Sequence, residues 1–88
     1  MYLKMISHLT AREIANASGN LAFDASELAF STANNALLNQ AQELELFSET
    51  LSDAIATEYS SGVKSDVIPH LVSDVIRVYE KTLNMFEA

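Results

Sequence analysis

Between Asp24 and Tyr59 the chain contains neither glycine nor proline, the residues that most readily interrupt regular backbone. Apolar side chains recur there every seven residues, in Phe23, Phe30, Leu37, Leu44 and Leu51. That is a helical rhythm, since a strand would alternate every second residue. Ala33, Phe47 and Ala54 run beside the row, with Ala41 and Ile55 on its other flank and Gln40 as a polar interruption. Ala22, Ala29 and Ala36 form a parallel row of small residues along which another helix can approach closely. The pattern predicts a long helix over 25–59. Unbroken, it would extend about 50 Å, whereas a compact chain of this size has a radius of gyration of about 12 Å. Such a helix is either broken or shared with a partner. The expected break is Asn34-Asn35, whose amide side chains compete with the backbone for hydrogen bonds.

Capping signals divide the remainder. After an N-terminal extension over 1–10, Thr10-Ala11-Arg12-Glu13 reads as a capping box, and Gly19 as a left-handed stop, which predicts a short helix over 11–18. Asp24-Ala25-Ser26-Glu27 repeats the starting signal, with Phe23 and Leu28 placed as a hydrophobic staple. Ser60-Ser61-Gly62-Val63-Lys64 is the main loop, and Ser65 can cap a final helix over 66–86 that carries Pro69 in its first turn. Along it, Ile68, Leu71, Val72, Val75, Ile76, Tyr79, Leu83 and Phe86 share one face, opposite His70, Asp74, Arg77, Glu80, Lys81 and Asn84. With 88 residues there is room for one core. The expected fold is all-α: a helical hairpin with a short N-terminal helix, paired into a homodimeric bundle because a final helix of about 32 Å cannot cover a 50 Å partner.

The outline of a long helix, the Ser60-Ser61-Gly62 loop and a second amphipathic helix resembles the hairpins of the small secreted Trp-x-Gly proteins. The resemblance is architectural. Ser60-Ser61-Gly62 stands where that family has its Trp-x-Gly turn, and Leu83 follows Tyr79 where its tail signal needs an acidic residue, so no residue role and no secretion route is carried over.

Composition excludes several classes. Twelve acidic against five basic residues give a net charge of -7, which repels phosphate backbones, so direct nucleic-acid binding is not expected. Cysteine is absent, removing disulfides and thiolate sites together. The longest charge-free stretch, Leu28 to Gln42, is too rich in Ser, Thr, Asn and Gln to span a membrane. The first residues lack the apolar run of an export peptide, and a cytoplasmic location is expected, with secretion by a route that uses no cleaved signal as the alternative.

Carboxylates dominate the remaining chemistry. Glu45, Glu49 and Asp53 are spaced four apart on one helix face, but no Glu-x-x-His pair or alternating oxygen-ligand loop accompanies them, and they read as a solvated stripe. His8 and His70 are isolated, and Ser60, Ser61 and Ser65 lack a nucleophile elbow, so neither enzyme activity nor a cofactor or metal is expected. Every Lys and Arg lies outside 13–63, which leaves the central segment purely acidic. Two functions fit. One is a non-catalytic protein-interaction module, such as a small adaptor, chaperone or secretion-associated subunit, using Phe30, Leu37, Leu44, Phe47 and Leu51 as its seam. The other is an acidic inhibitor, immunity protein or antitoxin whose Glu43, Glu45, Glu49 and Asp53 block a basic surface of its target.

Overall fold

The computed structural model describes residues 2–88. Helix α1 covers Ala11–Thr32, α2 Asn35–Ser61 and α3 Val67–Phe86, with no strand among the described residues. The fold is all-α, a three-helix bundle of 44 × 21 × 17 Å with a radius of gyration of 13.3 Å.

Helix α1 begins at the expected capping box. Thr10 Oγ1 accepts the Glu13 N–H at 3.2 Å, and the Glu13 carboxylate accepts the Thr10 N–H at 3.0 Å. It does not stop at Gly19. That residue keeps a helical backbone, and Asp24-Ala25-Ser26-Glu27 lies inside α1 instead of starting a helix. The short helix over 11–18 and the start near Ala25 are therefore corrected to one helix. The cause is tertiary: Ile14, Ser18, Leu21, Ala25 and Ala29 keep three-four spacing across Gly19 and Asp24, and all are buried. Covering that continuous face outweighs the roughly 1 kcal/mol that a mid-helix glycine costs relative to alanine.

The long helix over 25–59 is likewise corrected to two, folded back on each other. Ala33 takes the left-handed conformation at φ 54°, and the Asn34 N–H reaches the Ala29 carbonyl at 2.9 Å, closing α1 in a Schellman-type turn. Asn34 then caps α2, its Oδ1 accepting the Leu37 N–H at 3.1 Å. The break falls next to the asparagine pair, and Asn34 serves it as a cap. Because the corner is not helical, the seven-residue phase is lost across it. Phe23 and Phe30 point outward from α1, while Leu37, Leu44 and Leu51 point inward from α2.

Those leucines are covered within one chain. Leu44 and Leu51 pack with Ile14, Leu21, Val75, Val78, Tyr79 and Leu83, and half-buried Phe47 lies against the same cluster. Leu37 packs with Ala25, Ala29 and Ala41 near the corner. The expected interchain seam is thus an internal core, and Phe30 is not part of it. Folding back at Ala33-Asn34 removes the excess helix length that had called for a second chain.

Helix α3 buries Val75, Val78, Tyr79, Thr82 and Leu83. Thr82 joins the core face because its Oγ1 donates to the Val78 carbonyl at 2.8 Å and accepts from buried Gln40 Nε2 at 3.2 Å. The polar interruption at Gln40 is therefore a cross-link between α2 and α3. Between these helices, Gly62 ends α2 at φ 70°, and the Glu58 carboxylate accepts the Ser65 N–H at 2.6 Å. Ser65 Oγ accepts the Val67 N–H at 3.3 Å and supports the start of α3. The N-terminal arm lies across α1 and α3. Ile6 is buried in the core, the Tyr2 hydroxyl donates to the Asp24 carboxylate, the Tyr2 ring meets Phe86 edge-on at 6.0 Å, and the Tyr79 hydroxyl donates to the Leu3 carbonyl at 2.7 Å.

Two substitutions test this packing by urea denaturation. Leu44→Ala should cost about 2–5 kcal/mol, the range for a leucine lost from a closed core. Ala33→Gly should gain about 0.5–1 kcal/mol, because glycine adopts the left-handed corner without the steric cost alanine bears there.

Candidate interaction surface

Small residues line the contact between α1 and α2. Ala15, Ser18, Ala22, Ala25 and Ala29 are buried along α1, and Gly19 faces Ser48, whose Oγ would lie 3.5 Å from a Cβ added at the glycine. Ser48 Oγ donates to the Ala15 carbonyl at 2.9 Å, so this close approach is also a polar link. Space between the two helices is consequently too small for a large ring. Phe23 and Phe30, two turns apart on α1, stand beside the seam with 65% and 75% of their surface exposed.

They border an open groove of about 450 Å³. Gly19, Ser26 and Ser48 line it from the close contact, Phe23, Phe30 and Leu38 supply apolar surface, and Gln42, Glu45 and Glu49 complete the α2 side. Leu46, four residues after Gln42 on α2, is also largely exposed. Antiparallel packing gives the groove a polarity. Phe30 and Leu38 lie at its corner end, whereas Glu45 and Glu49 lie towards Gly19 and Ser48.

Of the carboxylates picked out from sequence, Glu45 and Glu49 line this groove, while Glu43 and Asp53 are exposed outside its lining. Glu43 stands about 200° around the helix from Glu45, so the four do not form one face. No ion pair engages any of them; among the described residues the ion pair is Arg77 with Asp74, at 3.5 Å on α3. His8 and His70 are exposed and separate. No group of three or more His, Cys, Asp or Glu is placed to hold a metal ion, and no helix is long and apolar enough to cross a membrane, among the described residues. Ser60 and Ser61 end α2, and Ser61 Oγ accepts the Val63 N–H at 3.2 Å.

Phe23 and Phe30 were legible as members of the heptad row but not as an exposed pair. The small-residue row Ala22 and Ala29 is the signal that separates the two outcomes: a helix that meets its neighbour through alanines cannot bury phenylalanines at the same contact.

Ionisation is shifted in the arm, at Tyr79 and at the α1 cap. Partial burial, then the hydrogen bond to Asp24 and its negative charge, push the Tyr2 phenol up to about 12. Burial, followed by the charge of Glu87, raises Tyr79. The Thr10 amide and then its hydroxyl hold Glu13 below the usual carboxylate range. Comparison of the chain with protein-family models, curated proteins and solved structures finds no match.

The arm supplies a pH test. A phenol whose folded pKa is raised contributes stability in full below its ordinary value of 10, and loses it as pH rises through about 12. Tyr2 should therefore release from Asp24 across that interval, seen as a titrating Tyr2 ring resonance by NMR. Asp24→Asn should move the transition to lower pH while leaving it above 10, because burial is the larger cause.

Proposed function

We propose that the protein is a non-catalytic protein-interaction module, of the kind that adaptors, chaperones and secretion-associated subunits exemplify, and that its recognition surface is the groove between α1 and α2. One observation carries this reading: two phenylalanines on one helix face remain mostly exposed and border the same groove. Contiguous exposed apolar surface with a polar border is characteristic of interaction sites. The seam first expected from the heptad row is replaced here by Phe23, Phe30 and Leu38, since Leu37, Leu44 and Leu51 serve the internal core.

A second reading has support from the charges. Glu45, Glu49 and Asp53 are exposed without a cationic neighbour, as an inhibitor that covers a basic surface would present them. The two readings differ in which side chains bind. Phe23→Ser combined with Phe30→Ser should leave folding stability within about 0.5 kcal/mol, because both rings are already in water. For the interaction module, affinity capture from the native organism should lose the species that wild type retains. Retention of the same species by the double variant, with loss on Glu49→Lys and Asp53→Lys, would favour the inhibitor instead.

A further inference from the structure

We infer that the occupant of the groove between α1 and α2 is a basic amphipathic helix, with its apolar anchor at the Phe30–Leu38 end and its Lys or Arg side chains beside Glu45 and Glu49. This rests on the groove being the recognition surface and adds the chemistry and orientation of what it receives. Three observations lead to it.

The first is charge. No Lys or Arg occurs anywhere in 13–63, so neither wall can offer a cation, and Glu45 and Glu49 lie one helical turn apart on the lining itself. Like charges at that spacing repel, and two cations from outside relieve the repulsion. An acidic or neutral apolar segment would leave it in place. The second is the weakness of the case for a second copy. Two grooves brought face to face in parallel would oppose Glu45 and Glu49 with their own counterparts, and in either direction the pair would join chains that each carry a net charge of -7.

The third is the contrast between the two flanks of α1. On the α3 flank the chain covers its own surface with the arm, which places apolar Ile6 in the core and a hydrogen-bond donor, Tyr2, on the carboxylate of Asp24. The α2 flank presents the same two elements, apolar surface and carboxylates, with no segment of the described chain over them. A segment combining apolar side chains with donors suits both flanks. Two rings seven residues apart define a trough about 10 Å long, the length of two helical turns, and a helix laid there offers anchors at i, i+3 or i+4 and i+7.

The test uses two synthetic peptides of about 14 residues, enough for four helical turns. One carries Leu on one face and Lys on its flanks; the other is identical except that Glu replaces Lys. Fluorescence anisotropy of labelled peptide reports binding, and circular dichroism verifies that each protein variant is folded. The Leu/Lys peptide should bind wild type, bind about tenfold more weakly to the double variant Glu45→Lys, Glu49→Lys, and weaken as salt is raised. Reversing the same number of charges away from the groove, with Glu80→Lys and Glu87→Lys, should change affinity less than about twofold, which separates a docked helix from attraction to an acidic protein in general. Phe23→Ser with Phe30→Ser should abolish binding.

Equal binding by the Leu/Glu peptide, or equal loss from both charge-reversal variants, would overturn the inference. If the Leu/Glu peptide binds and the phenylalanine variant does not hold it, the groove stands as a recognition surface and only its charge preference is wrong. If the phenylalanine variant binds both peptides as wild type does, the recognition surface fails with it. A wild-type dimer in light scattering that Phe30→Ser converts to monomer would assign the groove to a second copy and overturn the basic helix.

Discussion

The close contact between α1 and α2 governs what the rest of the molecule can do. Ala15, Gly19, Ala22 and Ala29 leave so little side chain between the helices that Ser48 reaches the Ala15 carbonyl, a backbone group already engaged in its own helix. Packing of this kind gains dispersion contacts over the length of two backbones but buries little apolar area per residue. The larger side chains must then be accommodated elsewhere. Leu44 and Leu51 turn towards α3 and complete the core with Val75, Val78, Tyr79 and Leu83, while Phe23 and Phe30 have no inward position left. Core and groove are two results of one choice of small residues.

Much of the helical fold is legible in the residues, and the errors have specific causes. The Thr10 capping box, the corner beside Asn34 and the amphipathic final helix are local signals that nothing tertiary opposes, and the structure contains all three; the expected loop over 60–64 is shorter, because Ser60 and Ser61 still belong to α2. Gly19 and Asp24 carry local signals just as plain, yet they lie within α1. There a continuous buried face, much of it alanine and serine, decides the outcome. A hydrophobic scan gives such a face little weight, because alanine and serine contribute little to it although their small size is what permits burial.

The candidate surface was less legible than the fold. A seven-residue row implies one seam only while the helix continues, and the left-handed residue at Ala33 reverses the meaning of the row part way along. Leu37, Leu44 and Leu51 read as buried positions from sequence, and the fold shows that other helices of the same chain cover them. Glu45 and Glu49 read as exposed from their spacing alone, whereas their place on a groove is set by α1 lying antiparallel beside them. Gln40 and Thr82 show the complementary case. Each is a polar residue on an apolar face, and only the fold reveals that one satisfies the other.

The corner at Ala33-Asn34 also bears on the order in which structure accumulates. Two residues join helices of 22 and 27 residues, so the first contacts between them close a short loop, and short loops form fastest and at least entropic cost. Contacts between the N-terminal arm and α3 are the opposite kind: Tyr79 meets Leu3 across 76 positions of sequence. The groove is lined entirely by the local pair. Its geometry is therefore encoded in the segment of lowest contact order, whereas the arm that covers the other flank of α1 depends on contacts that span nearly the whole chain, Leu3 with Tyr79 and Tyr2 with Phe86.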